Sequence, residues 1–94
     1  MCKEQTSSIY PKFKGLILIP SAAADKELAK FGLLLSETVQ VLEEGFDCSR
    51  SKRKKNVIEK CVRKGKKKLK VVVVKSYNFS LETECWLLIH TGIF

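Results

Sequence analysis

The chain reads as an α+β domain, two N-terminal helices packed on a three- to four-stranded, mainly antiparallel sheet, in the order β-α-α-β-β-β. Three observations predict this. The run 15–20 (GLILIP) is short, apolar and closed by a proline, as a buried strand is. Between residues 21 and 45 apolar side chains recur at helical spacing, bounded by capping residues. Residues 69–75 and 85–89 are the most β-prone stretches, the first with four consecutive valines. The 94 residues suffice for one domain, 15–94, with a core of about 15–20 side chains.

The lead-in, 1–14, is expected to be loose. Its polar start, Pro11, Lys12 and Lys14 carry no periodicity, and Tyr10 and Phe13 are candidates to pack on the domain edge. After the first strand, Ser21 is placed to accept from an unpaired amide of a first helical turn. Ala24, Leu28 and Phe31 then share one face; Asp25 and Glu27 lie early, Lys30 late, which suits the helix dipole, and Gly32 is the expected stop. A second helix is expected after Leu33, Leu34 and Leu35, capped by Ser36 and ended by Gly45, with Val39, Val41 and Leu42 toward the core. Its Glu37, Glu43 and Glu44, without a base, exclude a DNA-reading helix.

Residues 46–51 read as a connector or short edge strand, and 50–56 as a loop of mutually repelling charges. Residues 57–64 fit two templates. Val57, Ile58, Cys61 and Val62 recur at helical spacing between Asn56 and Gly65, and the same β-branched residues suit a strand; the strand is favoured. Gly65, Lys66 and Lys67 then form a hairpin turn, 69–75 a strand and 76–83 a loop. In the last strand, from Cys85 onward, Trp86, Leu88 and His90 are expected on one face, and Leu87, Ile89 and Thr91 on the other.

The pieces Ser21, 31–37 (FGLLLSE), 41–45 (VLEEG), 67–74 (KKLKVVVV) and 86–90 (WLLIH) resemble a group of small prokaryotic domains of unknown function. That group is distantly similar to RelE-type and HicA-type toxins, of the barnase–EndoU–colicin–RelE fold class. The resemblance covers residues 15–94 and rests mostly on hydrophobic spacing. It implies that sheet-and-helix scaffold and, more widely, toxin-type ribonuclease activity. The related domains usually carry a His-Ala pair after the serine and an Arg one turn later. Here Ala23, Ala24 and Glu27 stand in those places, so the resemblance implies a scaffold that has lost its polar site.

Charge is the strongest functional signal. The formal net charge is +8, and twelve of the 18 Lys and Arg fall between positions 50 and 70 with one of the 10 acids, Glu59. Arg50, Lys52, Arg53, Lys54, Lys55, Lys60, Arg63, Lys64, Lys66, Lys67, Lys68 and Lys70 are the candidate nucleic-acid-binding residues. Alternation groups Lys60, Val62 and Lys64 on one face and Lys68, Lys70 and Val72 on one face, and two such antiparallel strands together with the basic loop are expected to line a groove. RNA or another polyanion is the expected partner, set against a solvated lysine edge that keeps strands from pairing with other chains. A protein partner or a homodimer is the other expectation.

Catalysis has only weak candidates, His90, Tyr77 and Arg63, with Lys60 as a further base; a metal-independent ribonuclease would need them to converge. His90 beside Trp86 and Leu88 reads first as a structural residue. No cofactor motif, nucleophile motif or phosphate-binding glycine loop is present. Cys48, Cys61, Cys85 and His90 lack the close pairing of a zinc site, so no metal is expected. The sequon at Asn78 carries no weight without a secretion signal. No apolar run approaches a membrane span, and 1–15 lacks the apolar segment of a signal peptide. A cytoplasmic protein with four thiols is the expectation.

Overall fold

A computed structural model describes residues 10–47 and 56–93. It contains strands β1 (Lys12–Phe13) and β2 (Leu16–Pro20), helices α1 (Ala22–Phe31) and α2 (Leu35–Glu44), and strands β3 (Val57–Lys64), β4 (Lys67–Asn78) and β5 (Thr83–Ile93). The class is α+β, as expected. The sheet is larger and more mixed than the sequence suggests: five strands in the order β1-β2-β5-β4-β3, with β2 parallel to β5 and the other pairs antiparallel. Parallel pairing joins Ile17 to Cys85, positions too distant for local signals to report.

The lead-in expected to be loose holds β1. Lys14 and Gly15 both take positive φ (52° and 82°), so Phe13 folds back on Leu16 through a two-residue turn. Phe13 is thereby buried against Trp86, ring centroids 5.6 Å apart.

Helix α1 follows its signals. The Ala24 amide donates to Ser21 Oγ (3.1 Å), and Gly32 ends the helix in the left-handed region, with the Leu33 amide donating back to Leu28 O (2.8 Å). Helix α2 begins earlier than expected. Its cap position is Leu34, not Ser36, and Glu37 supplies the missing acceptor by reaching back to the Leu34 amide (2.7 Å). Gly45 stops it in extended backbone. A Cβ there would lie 2.5 Å from Val41 O and 2.6 Å from Cys61 O, so glycine is required for the chain to pass β3.

Both helices cover one face of the sheet. The register Val62↔Leu69, Val71↔Thr91, Val73↔Leu88 and Leu18↔Trp86 defines that face. There Leu18, Leu69, Val71, Val73, Trp86 and Leu88 pack with Ala24, Leu28, Leu33, Val39, Val41 and Leu42. Burying each of the larger aliphatic side chains contributes about 1.5–3 kcal/mol.

A β-bulge interrupts β4–β5. Val72 pairs with His90 but Val73 with Leu88, so Ile89 is the extra residue. The sequence expectation for β5 is corrected accordingly: Trp86 and Leu88 share the core face with Thr91, while His90 turns to the opposite face with Leu87. Strict alternation fails because one residue is inserted into the ladder. The expected 76–83 loop also shrinks. β4 continues to Asn78, whose Oδ1 accepts from the Leu81 amide (2.8 Å), leaving a four-residue turn.

Candidate functional site

Seven of the twelve candidate cations lie among the described residues; Arg50, Lys52, Arg53, Lys54 and Lys55 lie outside them. Two of the seven are engaged in ion pairs. Lys60 Nζ meets Asp47 Oδ1 at 2.8 Å, and Lys70 Nζ meets Glu59 Oε2 at 3.3 Å, the Glu59 side chain being 3% exposed. The other five, Arg63, Lys64, Lys66, Lys67 and Lys68, are all exposed and crowd the β3–β4 turn.

That turn is built by Gly65, whose φ of 63° opens a two-residue loop closed by the pair Lys64↔Lys67. The next rung is Arg63↔Lys68. Like charges thus sit directly opposite each other on two successive rungs, each destabilising by about 0.2–1 kcal/mol. The rungs point to opposite faces. Lys64 and Lys67 share the helix-side parity of Val62 and Leu69, whereas Arg63 and Lys68 share the other. Lys60 and Lys64 therefore face away from Lys68 and Lys70, so the two basic strands do not present these four cations on one face; the basic loop residues 50–55, expected to complete the groove, lie outside the described residues. The antiparallel register, which sequence spacing does not report, distributes the described cations of the hairpin end over both faces of the ribbon.

Phe46 opens the segment 46–51 that the sequence reads as a connector or short edge strand. It bridges the edge of β3, exchanging hydrogen bonds with Cys61 (2.8 and 2.9 Å), and Lys68 Nζ lies 5.9 Å from its ring centroid. A cation over an aromatic face is attracted by about 0.5–1 kcal/mol at an exposed site.

The opposite end of β4 differs. Tyr77 and Phe79 stack edge-on (centroids 4.9 Å, 67°), Phe79 is 83% exposed, and Leu81 is also exposed. Tyr77 pairs with Glu84, and Lys75 reaches Glu84 at 4.0 Å.

The weak catalytic candidates are not brought together. His90 lies opposite Val72, so Arg63, opposite Lys68, is about 13 Å away along the strand, and Tyr77 about 16 Å away on the other face. Lys60 is on the helix side. His90 instead meets a residue the sequence did not single out for it: His90 Nδ1 is 3.0 Å from Glu27 Oε2. The same carboxylate accepts the Thr91 amide at Oε1 (2.9 Å). β2 ends at Pro20, and its last hydrogen bond runs from the Ser21 amide to Leu88 O. Beyond that point Glu27 takes the place of a strand neighbour for β5. Thr91 Oγ1 in turn donates to Lys70 O (2.9 Å), which ties the buried Thr91 into the same network.

Cys85 is a buried free thiol, raised by burial above its ordinary pKa. Cys61 is disulfide-bonded, which corrects the expectation of four thiols. That expectation rested on the lack of a secretion signal, which says nothing about which sulfurs meet. Among the described residues no three His, Cys, Asp or Glu side chains are grouped to hold a metal ion, and no helix is long and apolar enough to cross a membrane.

No family model matches the chain, and no curated protein or solved structure does.

Proposed function

We propose that this protein binds RNA or another polyanion through the β3–β4 hairpin end and does not turn over a substrate. The observation that carries the reading is the pair of like-charge rungs, Lys64↔Lys67 and Arg63↔Lys68, kept exposed around Gly65. A sequence selected for stability alone would not oppose four cations in two rungs; a bound polyanion relieves that repulsion. The separation of His90, Tyr77 and Arg63 supports binding over a toxin-type ribonuclease. The element order β2-α1-α2-β3-β4-β5 supports kinship with the small prokaryotic domains resembling RelE-type and HicA-type toxins, with Ala23, Ala24 and Glu27 in place of their polar residues. The reading places the protein in the cytoplasm.

Retention on immobilised RNA at rising salt tests the proposal. Binding at low salt that weakens with a log–log slope of about −3 to −4, for four or five phosphate contacts on a single strand, is expected. No retention at low salt ends it.

A second reading, self-association, is favoured by one observation: the exposed apolar end formed by Tyr77, Phe79 and Leu81. Sedimentation of the wild type and Phe79→Ser over a range of concentrations separates a dimer that needs this end from a monomer.

A further inference from the structure

The shape of the cationic end narrows the partner, on the assumption that the polyanion reading above is right. The cations occupy both faces and the apex of a two-stranded ribbon: Lys64 and Lys67 on one face, Arg63 and Lys68 on the other, and Lys66 in the turn. A single nucleic-acid strand has one phosphate backbone and would meet one face of the ribbon, leaving the other rung in water. Two backbones, one on each side, are needed to engage both rungs at once. That arrangement exists at the groove of a duplex.

The aromatic distribution points the same way. Single strands are held largely by stacking of bases on exposed aromatic rings. Among the described residues the one aromatic near the cations is Phe46, and its ring is faced by Lys68. The exposed pair Tyr77 and Phe79 lies at the far end of the 12-residue β4, about 35 Å from Lys67. The cationic end therefore offers charge on two sides and little surface for stacking.

Groove width then separates the two kinds of duplex. The major groove of B-form DNA is about 12 Å wide and admits a two-stranded β-ribbon. The major groove of A-form RNA is deep and narrow and closed to side chains. We infer that the β3–β4 hairpin end enters the major groove of B-form DNA, with the Lys64/Lys67 rung contacting one phosphate backbone and the Arg63/Lys68 rung the other. The contacts named are to phosphates, so the binding is not tied to base sequence.

Fluorescence anisotropy on three labelled probes tests this: a short DNA duplex, an RNA duplex of the same sequence, and the single RNA strand, at matched salt. The DNA duplex is expected to bind roughly tenfold or more tightly than either RNA, with a salt slope of about −4. Two double variants test the two-sided engagement, K64Q/K67Q and R63Q/K68Q. Each is expected to weaken DNA binding by roughly tenfold or more and to reduce the salt slope by about 2. All four positions are exposed, and unchanged circular dichroism verifies that the variants remain folded. Equal or tighter binding of the single strand or the RNA duplex overturns the groove assignment while leaving the polyanion reading standing. So does a double variant on one face that leaves DNA affinity unchanged. Absence of binding to all three probes at low salt overturns both.

Discussion

Strand β4 joins two hairpins that solve the problem of a turn in different ways. At the β3–β4 end a two-residue glycine loop holds five exposed cations, and its last two rungs repel. At the β4–β5 end a four-residue turn is supported from within: Asn78 Oδ1 accepts the Leu81 amide, and Tyr77 packs edge-on against Phe79. Such a ring contact adds about 0.5–1.5 kcal/mol beyond burial. One end gives up local stability for charge; the other spends exposed apolar side chains on holding its own shape. The difference teaches where a ligand has most to offer, because only the first end carries repulsion for a ligand to cancel.

The largest expected effect separates the ends by binding. Replacing Arg63, Lys64, Lys67 and Lys68 together by Glu should lower polyanion affinity by about a thousandfold or more. Replacing Tyr77 and Phe79 by Ala should change it less than about threefold, with anisotropy at low salt as the measurement. A comparable loss from the aromatic pair would break the contrast.

The next compares positions along β4 itself. Leu69→Ala, at a site 2% exposed beside the cationic end, should cost about 2–5 kcal/mol in urea unfolding. Tyr77→Ala at the other end should cost about 1 kcal/mol or less.

Turn chemistry comes third. Gly65→Ala forces a side chain into positive φ and should cost about 1–2 kcal/mol, although a Cβ there meets nothing within 4 Å. Asn78→Ala should cost about 0.5–1.5 kcal/mol through its lost hydrogen bond.

A fourth change should run the other way. Lys64→Thr with Lys67→Thr removes one like-charge rung and should stabilise the fold by about 0.2–1 kcal/mol while weakening polyanion binding. No gain in stability would show that the rung repulsion is screened away in solution.

The smallest effect lies at Cys85, near the aromatic end. Burial raises its thiol pKa, so the folded chain keeps a proton that the unfolded chain releases above about pH 8.5. Stability conferred by the neutral thiol is complete below that pH and falls as pH rises through the folded-state value. The difference in unfolding midpoint between wild type and Cys85→Ala should shift in that direction on going to alkaline pH.

Local signals made much of this fold legible. Ser21, Gly32 and the valines of β4 act within a few residues of themselves, and their elements lie where the sequence puts them. Residues 57–64, equally consistent with helix or strand by period, form a strand because eight rungs of β4 pair with them, a tertiary fact. What could not be read depends on partners distant in sequence. The bulge at Ile89 reverses the face of His90 without any change in composition. Glu27, which suits a helix N-terminus in sequence, is drawn to His90 and Thr91 because β2 stops one strand away. For the site, the cluster of bases was plain, but its geometry was not. Register decided that Lys60 and Lys64 face away from Lys68 and Lys70, and that Asp47 and Glu59 occupy two of the seven described cations.

The parallel pairing of β2 with β5 also bears on how the chain reaches its structure. The two C-terminal hairpins close over loops of two and four residues, whereas Ile17 must find Cys85 across 68 positions of chain. Closing a loop of that length costs on the order of 4 kcal/mol in entropy before any contact repays it. The C-terminal meander is thus expected to assemble first, and the N-terminal strand to dock late. Leu18→Ala, in β2, should then speed unfolding more than it slows folding, whereas Val71→Ala, at the meander's centre, should do the reverse.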